Sequence, residues 1–379
     1  MQRKKRPFYI IGHNPNTIAE AEEFLKLGAN ALEPDIIHIN NGFYISHTHE
    51  EPDADTPTLE SYLTDLKGLL TGGSYDLALI IFDIKDNDFD INSLVSVIRQ
   101  NFSGPPCDGV ALLLTHADDH QFVGRYDRRY DNVGIGVDES NMPPAELERF
   151  FREGGHNNFS YADGITTALT KPGVYTNVRA AQRCCHLNAP RSFRLVYTWV
   201  LTLEGSMRRY LDTHIDGIFV DPGSVNELKK LLASEPYSEV YEPARFGYNP
   251  YTADCPPQYV LAVRTADKAF AGTDARLVFT LKGRSGLELK SLPFNADQED
   301  ALERDTTTYI TLEGLDLGEI ESLTIEALTD GLGSGWLPAE ISVESRLLAA
   351  PVRFHFDTKT DWLTLKGGPI TRMAAQLQD

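Results

Sequence analysis

Short apolar runs alternate with amphipathic segments over roughly the first 235 residues. Runs rich in β-branched and aromatic residues cover positions 8–12, 31–37, 77–84, 109–115, 133–138, 163–167, 194–201 and 216–220. Runs of this length predict buried strands, and the segments between them have helical periodicity. Eight strands, each followed by a crossover, predict an α/β fold of the (β/α)8 TIM-barrel type, with the functional site at the C-terminal ends of the strands.

Local signals place the first helices and one hairpin. Thr17 and Glu20 form a capping box before IAEAEEFLKL, and Gly28 supplies its C-terminal stop. Thr56 followed by Pro57 is expected to open the helix LESYLTDLKGLL in the same manner. Asn41-Gly42 predicts a tight turn that folds FYISH back on the second strand. This hairpin would bring His47 over the mouth of the barrel.

The pattern changes after the segment NPYTADCPPQ at 249–258. Short alternating segments follow, separated by turns that contain Gly and Asp, and this pattern predicts an antiparallel β-sandwich. The chain of 379 residues is long enough for a barrel and a smaller module. We therefore predict two domains, a barrel over 1–251 and a sandwich over 258–364.

Composition narrows the classes of partner. Apolar residues make up 41% of the chain and charged residues 24%, as in a globular protein with a sizeable core. The net charge of -20 argues against nucleic acid, and an anionic membrane would need a bridging cation or a local basic patch. The start MQRKKRPFYIIGH lacks the apolar core of a signal peptide, and no stretch reaches transmembrane length. The oligomeric state is not indicated.

The four cysteines predict neither a disulfide framework nor a metal site. Cys107, Cys184, Cys185 and Cys255 lack metal-ligand spacing, and the adjacent pair Cys184 and Cys185 would form a strained disulfide. We expect mostly free thiols.

Acidic and imidazole side chains follow several of the apolar runs. Glu33 and Asp35 are two residues apart, so on a strand they share a face, as do Asp83 and Lys85. Three carboxylates suit a hard divalent cation, two histidines suit proton transfer, and Lys85 suits an anionic oxygen. The candidates, which together predict metal-assisted chemistry at a phosphate ester, are His13, Glu33, Asp35, His47, Asp83 and Lys85.

Each candidate also has a plainer interpretation. A strand histidine is more often structural than catalytic, and an isolated E-x-D is usually a solvated pair. Burial after an apolar run, however, forces a charge to find a partner. The cluster THADDH at 115–120 is interpreted as a polar loop at a strand end and is not placed in the site. The sequence has no Gly-x-Ser-x-Gly elbow, Walker loop or dinucleotide-binding glycine pattern.

The stretch from Pro7 to Tyr251 resembles the venom-type sphingomyelinase D and phospholipase D family, a branch of the glycerophosphodiester phosphodiesterase-like barrels. The order and spacing of its motifs agree with that family. They are GH at 12–13, LGAN at 27–30, E-x-D at 33–35, FDIK at 82–85, ADGIT at 162–166, YTW at 197–199, DGIFVD at 216–221 and YNPY at 248–251.

The resemblance implies roles for individual residues. Glu33, Asp35 and Asp83 would bind one Mg²⁺, His13 and His47 would act as nucleophile or as acid and base, and Lys85 would hold a phosphate oxygen. Tyr197 and Trp199 would line the headgroup site, where a Trp face suits a choline ammonium. The residues alone leave both aromatics equally consistent with core packing. Asp221 stands at a substrate-binding position where the family usually carries Asn, and this change adds a negative charge near the metal or the headgroup.

Other departures place the chain within the wider superfamily. Asn14 and Pro15 follow His13 where the general phosphodiesterases carry a phosphate-binding arginine, which favours the toxin-like branch. Only a short helix separates His47 from Asp83, and this agrees with the same branch. The cysteine pair that staples the catalytic loop in venom enzymes is absent. His49 could therefore replace His47 if the register slips by two residues.

The segment after the linker resembles a PLAT domain, the lipoxygenase-type C2-like module. The likeness rests on V-x-T-A-D at 263–267, AGTDA at 271–275, LDLGEIESLTI at 315–325, Trp336 and FHFDTKTDWL at 354–363. Such modules dock lipid surfaces or protein partners, in some cases with Ca²⁺. Asp267 and Asp274 are candidate Ca²⁺ ligands, although Asp in a turn is mostly structural.

These likenesses imply a Mg²⁺-dependent phospholipase D that releases the headgroup alcohol from choline- or ethanolamine-type sphingo- or lysophospholipids at a membrane or micelle surface. The attacking hydroxyl would belong to the lipid, which gives a cyclic phosphate. One alternative is a hydrolytic glycerophosphodiester phosphodiesterase. Another is a non-catalytic lipid-binding protein, although the chain retains every expected metal carboxylate. Secretion is expected from the resemblance alone.

Overall fold

The structure is a computed structural model that describes residues 3–73, 75–164, 174–187, 192–254, 256–296, 301–328 and 335–375. The chain divides into two units. One comprises Arg6–Cys185 and Ser192–Asp254, and the other comprises Met1–Lys5, His186–Arg191 and Cys255–Asp379. No helix among the described residues is long and apolar enough to span a bilayer.

The strands of the first unit form one sheet that closes on itself. In chain order they are β1 (Arg6–His13), β2 (Ala31–Glu33), β3 (Asp35–Ile39), β4 (Gly42–Ile45), β5 (Leu79–Ile84), β6 (Ala111–His116), β7 (Val133–Val137), β8 (Phe159–Gly164), β9 (Leu195–Trp199), β10 (Gly217–Val220) and β11 (Tyr241–Pro243). Strand β1 pairs in parallel with both β2 and β10. Strand β2 pairs with β5, and β5 to β10 pair in sequence. The predicted (β/α)8 barrel is therefore confirmed.

The second predicted strand is divided at Pro34. Because proline has no N–H to donate, β2 ends at Glu33, and β3 continues with parallel pairing to β5 and antiparallel pairing to β4. Asn40 and Asn41 form the two-residue hairpin loop with φ of 51° and 63°, and Ile39 pairs with Gly42. The turn predicted at Asn41-Gly42 was thus one residue late, because both loop positions need a positive φ that Asn tolerates.

Helices cover the outside of the barrel. They are α1 (Ile18–Leu27), α2 (Leu59–Gly72), α3 (Ile91–Asn101), α4 (His120–Val123), α5 (Pro144–Glu153), α6 (Val174–Leu187), α7 (Glu204–Leu211), α8 (Pro222–Leu232) and α9 (Tyr237–Val240). The capping box of Thr17 and Glu20 and the left-handed Gly28 are both present.

Three local predictions need correction or lie outside the described residues. Helix α2 begins at Leu59 with Thr58 as its cap, because the carbonyl of Pro57 is used to accept from the Ile45 N–H. The strand predicted at 163–167 begins at Phe159, where polar Ser160 interrupts the apolar run; residues 165–167 are outside the described residues. Cys107 is a free buried thiol, whereas the side chains of Cys184, Cys185 and Cys255 are not described.

The second unit is an antiparallel β-sandwich, as predicted. Its strands are β12 (Gln258–Thr265), β13 (Arg276–Gly283), β14 (Glu288–Lys290), β15 (Phe294–Asn295), β16 (Thr307–Glu313), β17 (Ile320–Ala327), β18 (Pro338–Glu344), β19 (Val352–His355) and β20 (Ile370–Met373). One sheet has the order β16-β12-β18-β19, and the other has the order β14-β13-β17-β20 with β15 beside β13. Alternate residues such as Leu261, Phe279 and Ile341 fill the core between the sheets.

Candidate active site

Three carboxylates converge at the C-terminal ends of neighbouring barrel strands. Glu33 ends β2, Asp35 begins β3, and Asp83 lies late in β5 directly beside Asp35 in the register. One oxygen from each residue lies within 4.8 Å of the others. The predicted shared face of Glu33 and Asp35 therefore exists, although Pro34 separates them into two strands.

The electrostatics of this triad suit a divalent cation. Burial raises the pKa of Glu33 well above its ordinary value, and the charges of Asp35 and Asp83 raise it further. Burial also raises the pKa of Asp83, although Lys85 opposes this shift. In the described part of the chain, Asp83 Oδ1 is buried with no hydrogen-bond donor. A hard cation would relieve the repulsion between these crowded carboxylates and would give the unsatisfied oxygen a partner. The three residues therefore suit a divalent metal ion.

Lys85 bridges two of the three carboxylates. Its Nζ lies 2.6 Å from Asp35 Oδ1 and also contacts Asp83. Burial alone would lower the pKa of Lys85, but Asp83 and Asp35 outweigh it and the net pKa is raised. Lys85 therefore stays cationic at the edge of the triad.

The two histidines of the prediction approach the triad from different strands. His47 follows the β3–β4 hairpin, and its Nδ1 lies 3.1 Å from Asp35 Oδ2. His13 ends β1 opposite Glu33 in the register, and its Nδ1 lies 3.5 Å from Asp221 Oδ1. Burial lowers the pKa of His13 more than Asp221 raises it. His49 instead pairs with Asp86 at 3.3 Å, so the hairpin directs His47 to the triad.

Two asparagines from the loop after β1 also reach the carboxylates, and sequence reasoning gave neither a role. Asn16 Nδ2 donates to Asp35 Oδ2 at 2.8 Å, and Asn16 Oδ1 accepts from the Asp35 N–H at 2.9 Å. The backbone N–H of Asn14 donates to Glu33 Oε2 at 3.0 Å. The sequence feature that could have indicated this role is the HNPN segment at the end of the first strand, because short amide side chains can bridge backbone and side chains.

The aromatic candidates on β9 are fastened to β7 through Asp138, another residue that sequence reasoning missed. The Tyr197 hydroxyl donates to Asp138 Oδ1 at 2.6 Å, and the Trp199 indole N–H donates to the Asp138 carbonyl at 3.2 Å. Tyr197 is 1% exposed and stacks on Phe219, whereas Trp199 is half-buried. Burial, with a smaller effect of Asp83, raises the pKa of Asp138 to about 7. The sequence feature that could have identified Asp138 is its position directly after the apolar run VGIGV.

Trp199 also depends on a glycine in the neighbouring strand. Gly164 pairs with Trp199 in the register, and a Cβ at Gly164 would lie 1.8 Å from the Trp199 carbonyl oxygen and 2.5 Å from its ring. No side chain other than hydrogen fits this position without moving Trp199.

Other acidic groups have local structural partners. The Asp119 side chain caps α4 by accepting from the Phe122 N–H, and its own N–H donates to His116 Nδ1. In the second unit, Asp267 pairs with Arg304 at 2.7 Å. Among the described residues, no further group of three or more His, Cys, Asp or Glu converges as the triad does.

Comparison with known proteins relates the first unit of the chain to a family of toxins. The family model "Dermonecrotic toxin SPH" matches residues 3–101, the range that contains the triad, His13, His47 and Lys85. The chain is 24% identical over 279 residues to dermonecrotic toxin LlSicTox-alphaIV1i of Loxosceles laeta, covering 64% of this chain and 99% of the toxin. The resemblance to this toxin family is confirmed.

A second toxin and two solved structures are also similar to parts of the chain. Dermonecrotic toxin Hl-PLD1 of Hemiscorpius lepturus is 27% identical over 252 residues, covering 58% of this chain and 76% of the toxin. A glycerophosphoryl diester phosphodiesterase structure from Silicibacter pomeroyi covers 61% of this chain and 96% of that chain, with 14% identity and a TM-score of 0.44. A coral 8R-lipoxygenase structure covers 31% of this chain and 17% of that chain, with 19% identity and a TM-score of 0.28. Assignment of the second unit to the PLAT class stays a prediction.

Proposed function

We propose that this chain is a Mg²⁺-dependent phosphodiesterase of the phospholipase D type. The observation that carries the proposal is that Glu33, Asp35 and Asp83 converge, with one histidine beside Asp35, the other opposite Glu33 in the strand register, and Lys85 in contact with two of the carboxylates. The relation to the dermonecrotic toxins supports the same reaction class.

The triad would hold one Mg²⁺, which when bound supplies positive charge to polarise a phosphodiester. Lys85 adds a fixed cation beside the same carboxylates, where it can meet a non-bridging phosphate oxygen. Because Lys85 is already paired with Asp35 and Asp83, its ammonium is positioned before the substrate arrives.

His13 and His47 are assigned complementary proton-transfer roles. The lowered pKa of His13 keeps it neutral near pH 7, so it accepts the proton as a hydroxyl oxygen attacks phosphorus. The bond between phosphorus and the headgroup oxygen breaks, and that oxygen takes a proton from His47. Asp35 accepts from His47 Nδ1, which turns the other ring nitrogen away from the triad.

Choline- and ethanolamine-type sphingo- or lysophospholipids are the proposed substrates. The half-buried Trp199 offers a ring face to the ammonium, with Tyr197 and Asp138 fixed behind it. We assign Asp221 a contact with the substrate. Its carboxylate also lies 3.5 Å from His13 Nδ1, so it has the second role of orienting this histidine. Secretion and Ca²⁺ binding by the second unit remain parts of the proposal that rest on resemblance.

The attacking hydroxyl decides the product. A hydroxyl of the lipid gives a cyclic phosphate, and water gives a phosphomonoester. Phosphorus NMR of each lipid with Mg²⁺ or EDTA distinguishes them: a cyclic phosphate resonance supports intramolecular transfer, and monoester alone from the first time point supports the hydrolytic alternative. Headgroup release that persists undiminished in EDTA would contradict the metal role.

A replacement at His13 separates catalysis from lipid binding. His13→Ala should abolish headgroup release while binding to phospholipid vesicles is kept. Equal release by the variant and the wild type would reject the catalytic assignment. If neither protein releases any headgroup, the non-catalytic lipid-binding alternative is favoured.

A further inference from the structure

The side-chain amide of Asn14 points into the carboxylate cluster. One end of this amide lies 3.0 Å from Asp35 Oδ2 and 3.2 Å from Glu33 Oε2. Both ends lie 3.3 Å from His13 Nε2. Asn14 thus touches two of the three triad members and one histidine, and no role has yet been given to its side chain.

These spacings match neighbouring ligands of a small octahedral cation. Mg²⁺ binds oxygen at about 2.0–2.1 Å in near-octahedral geometry, so adjacent ligand oxygens are about 3 Å apart. An amide oxygen at the inner end of Asn14 would stand at this separation from both carboxylate oxygens. Without a cation, three such oxygens repel one another, whereas a shared cation makes the same spacing favourable.

The backbone holds Asn14 in this position. Its φ is +52°, a left-handed conformation that Asn tolerates better than most residues. Its N–H donates to both the carbonyl oxygen and Oε2 of Glu33. The neighbouring Asn16 differs, because both ends of its amide are already bonded to Asp35.

We propose that the side-chain oxygen of Asn14 is a fourth protein ligand of the metal, beside Glu33, Asp35 and Asp83. This inference rests on the proposed metal site. The competing arrangement turns the NH₂ end inward, where it donates to Asp35 and Glu33 and must be displaced before a cation binds. The two arrangements predict opposite changes in Mg²⁺ affinity when the amide is removed.

Titration calorimetry with Mg²⁺ on the full chain distinguishes them. Asn14→Gly removes the amide without backbone strain at a positive φ. If Asn14 is a ligand, Mg²⁺ affinity should fall about tenfold or more, since even supporting groups of metal sites have effects of this size. An unchanged or tighter affinity would overturn the proposal, because a displaced donor would no longer compete.

Three further proteins make the outcome specific. Asn40→Gly is the matched control, since Asn40 has φ +51° in the hairpin loop; it should bind Mg²⁺ like the wild type. Asn14→Asp keeps an oxygen and should retain binding, which separates loss of a ligand from a folding defect. If Asp83→Asn loses Mg²⁺ binding and Asn14→Gly keeps it, Asn14 is not a ligand, whereas the proposed metal site at the triad stands. A wild type that binds no Mg²⁺ would reject both this inference and the proposed metal.

Discussion

Asp35 orients His47 through a contact of 3.1 Å between Asp35 Oδ2 and His47 Nδ1. The other oxygen of Asp35 faces Lys85 Nζ at 2.6 Å. A single buried carboxylate therefore joins a proposed proton donor to a fixed cation. This link ties His47, in the segment after the β3–β4 hairpin, to Lys85, which directly follows β5.

Replacement of His47 should impair turnover, and replacement of His49 should not. General acid or base catalysis contributes about 10²–10⁴-fold, so His47→Ala should lower kcat by at least about 100-fold. His49→Ala is the matched control, because His49 pairs with Asp86 outside the triad. Headgroup release measured for both variants tests this prediction. A larger loss in His49→Ala than in His47→Ala would show that His49, and not His47, transfers the proton.

Mg²⁺ should stabilise the fold through the triad. A ligand that binds only the native state at 100 times its Kd adds about 2.7 kcal/mol to the free energy of unfolding. The wild type should show a higher Tm with Mg²⁺ than with EDTA, whereas Asp83→Asn should lose this response and activity together. Asp65→Asn, an exposed change on α2, should respond like the wild type. Equal Tm shifts in wild type and Asp83→Asn would place the metal elsewhere.

Asp221→Asn should move the pH dependence of catalysis. Burial lowers the pKa of His13, and Asp221 partly restores it. Without that carboxylate the pKa of His13 falls further, so a base that must be neutral becomes active at lower pH. The acidic limb of the kcat/KM profile should therefore shift toward lower pH. A shift in the opposite direction would show that His13 is not the base.

Asp138 should make the metal-free protein less stable as pH rises. Its folded pKa of about 7 lies above the ordinary 3.8, so its neutral form favours folding. This contribution is fully present below pH 3.8 and is lost as pH rises through about 7. In EDTA, the free energy of unfolding of wild type should fall more between pH 6 and pH 8 than that of Asp138→Asn. Parallel pH curves from urea unfolding would contradict the buried neutral carboxyl.

Trp199 should contribute more to headgroup binding than Tyr197. Cation–π contacts are worth about 0.5–2 kcal/mol, so Trp199→Ala should raise KM for choline lipids roughly 2- to 30-fold. Tyr197→Phe keeps the buried stack on Phe219 and removes only the bond to Asp138, so its effect on KM should be smaller. A larger rise in KM for Tyr197→Phe than for Trp199→Ala would show that the headgroup does not bind against Trp199.

The outline of the barrel could be predicted from the sequence because its strands are apolar, short and evenly separated by helical segments. The capping box at Thr17 and the stop at Gly28 were equally readable, since each depends on bonds within a few residues. The start of α2 was not readable, because Pro57 pairs with Ile45 from another element and so delays the helix to Leu59.

For the candidate site, the sequence by itself determined which residue types end the strands, and strand periodicity grouped Glu33 with Asp35. Only the tertiary structure decided that His47 rather than His49 meets Asp35, because the loop after the hairpin has no strand periodicity. Asn14 and Asp138 emerged only from the fold. Their contacts join β1 to β2 and β7 to β9, and such distances depend on how the barrel closes rather than on any local pattern.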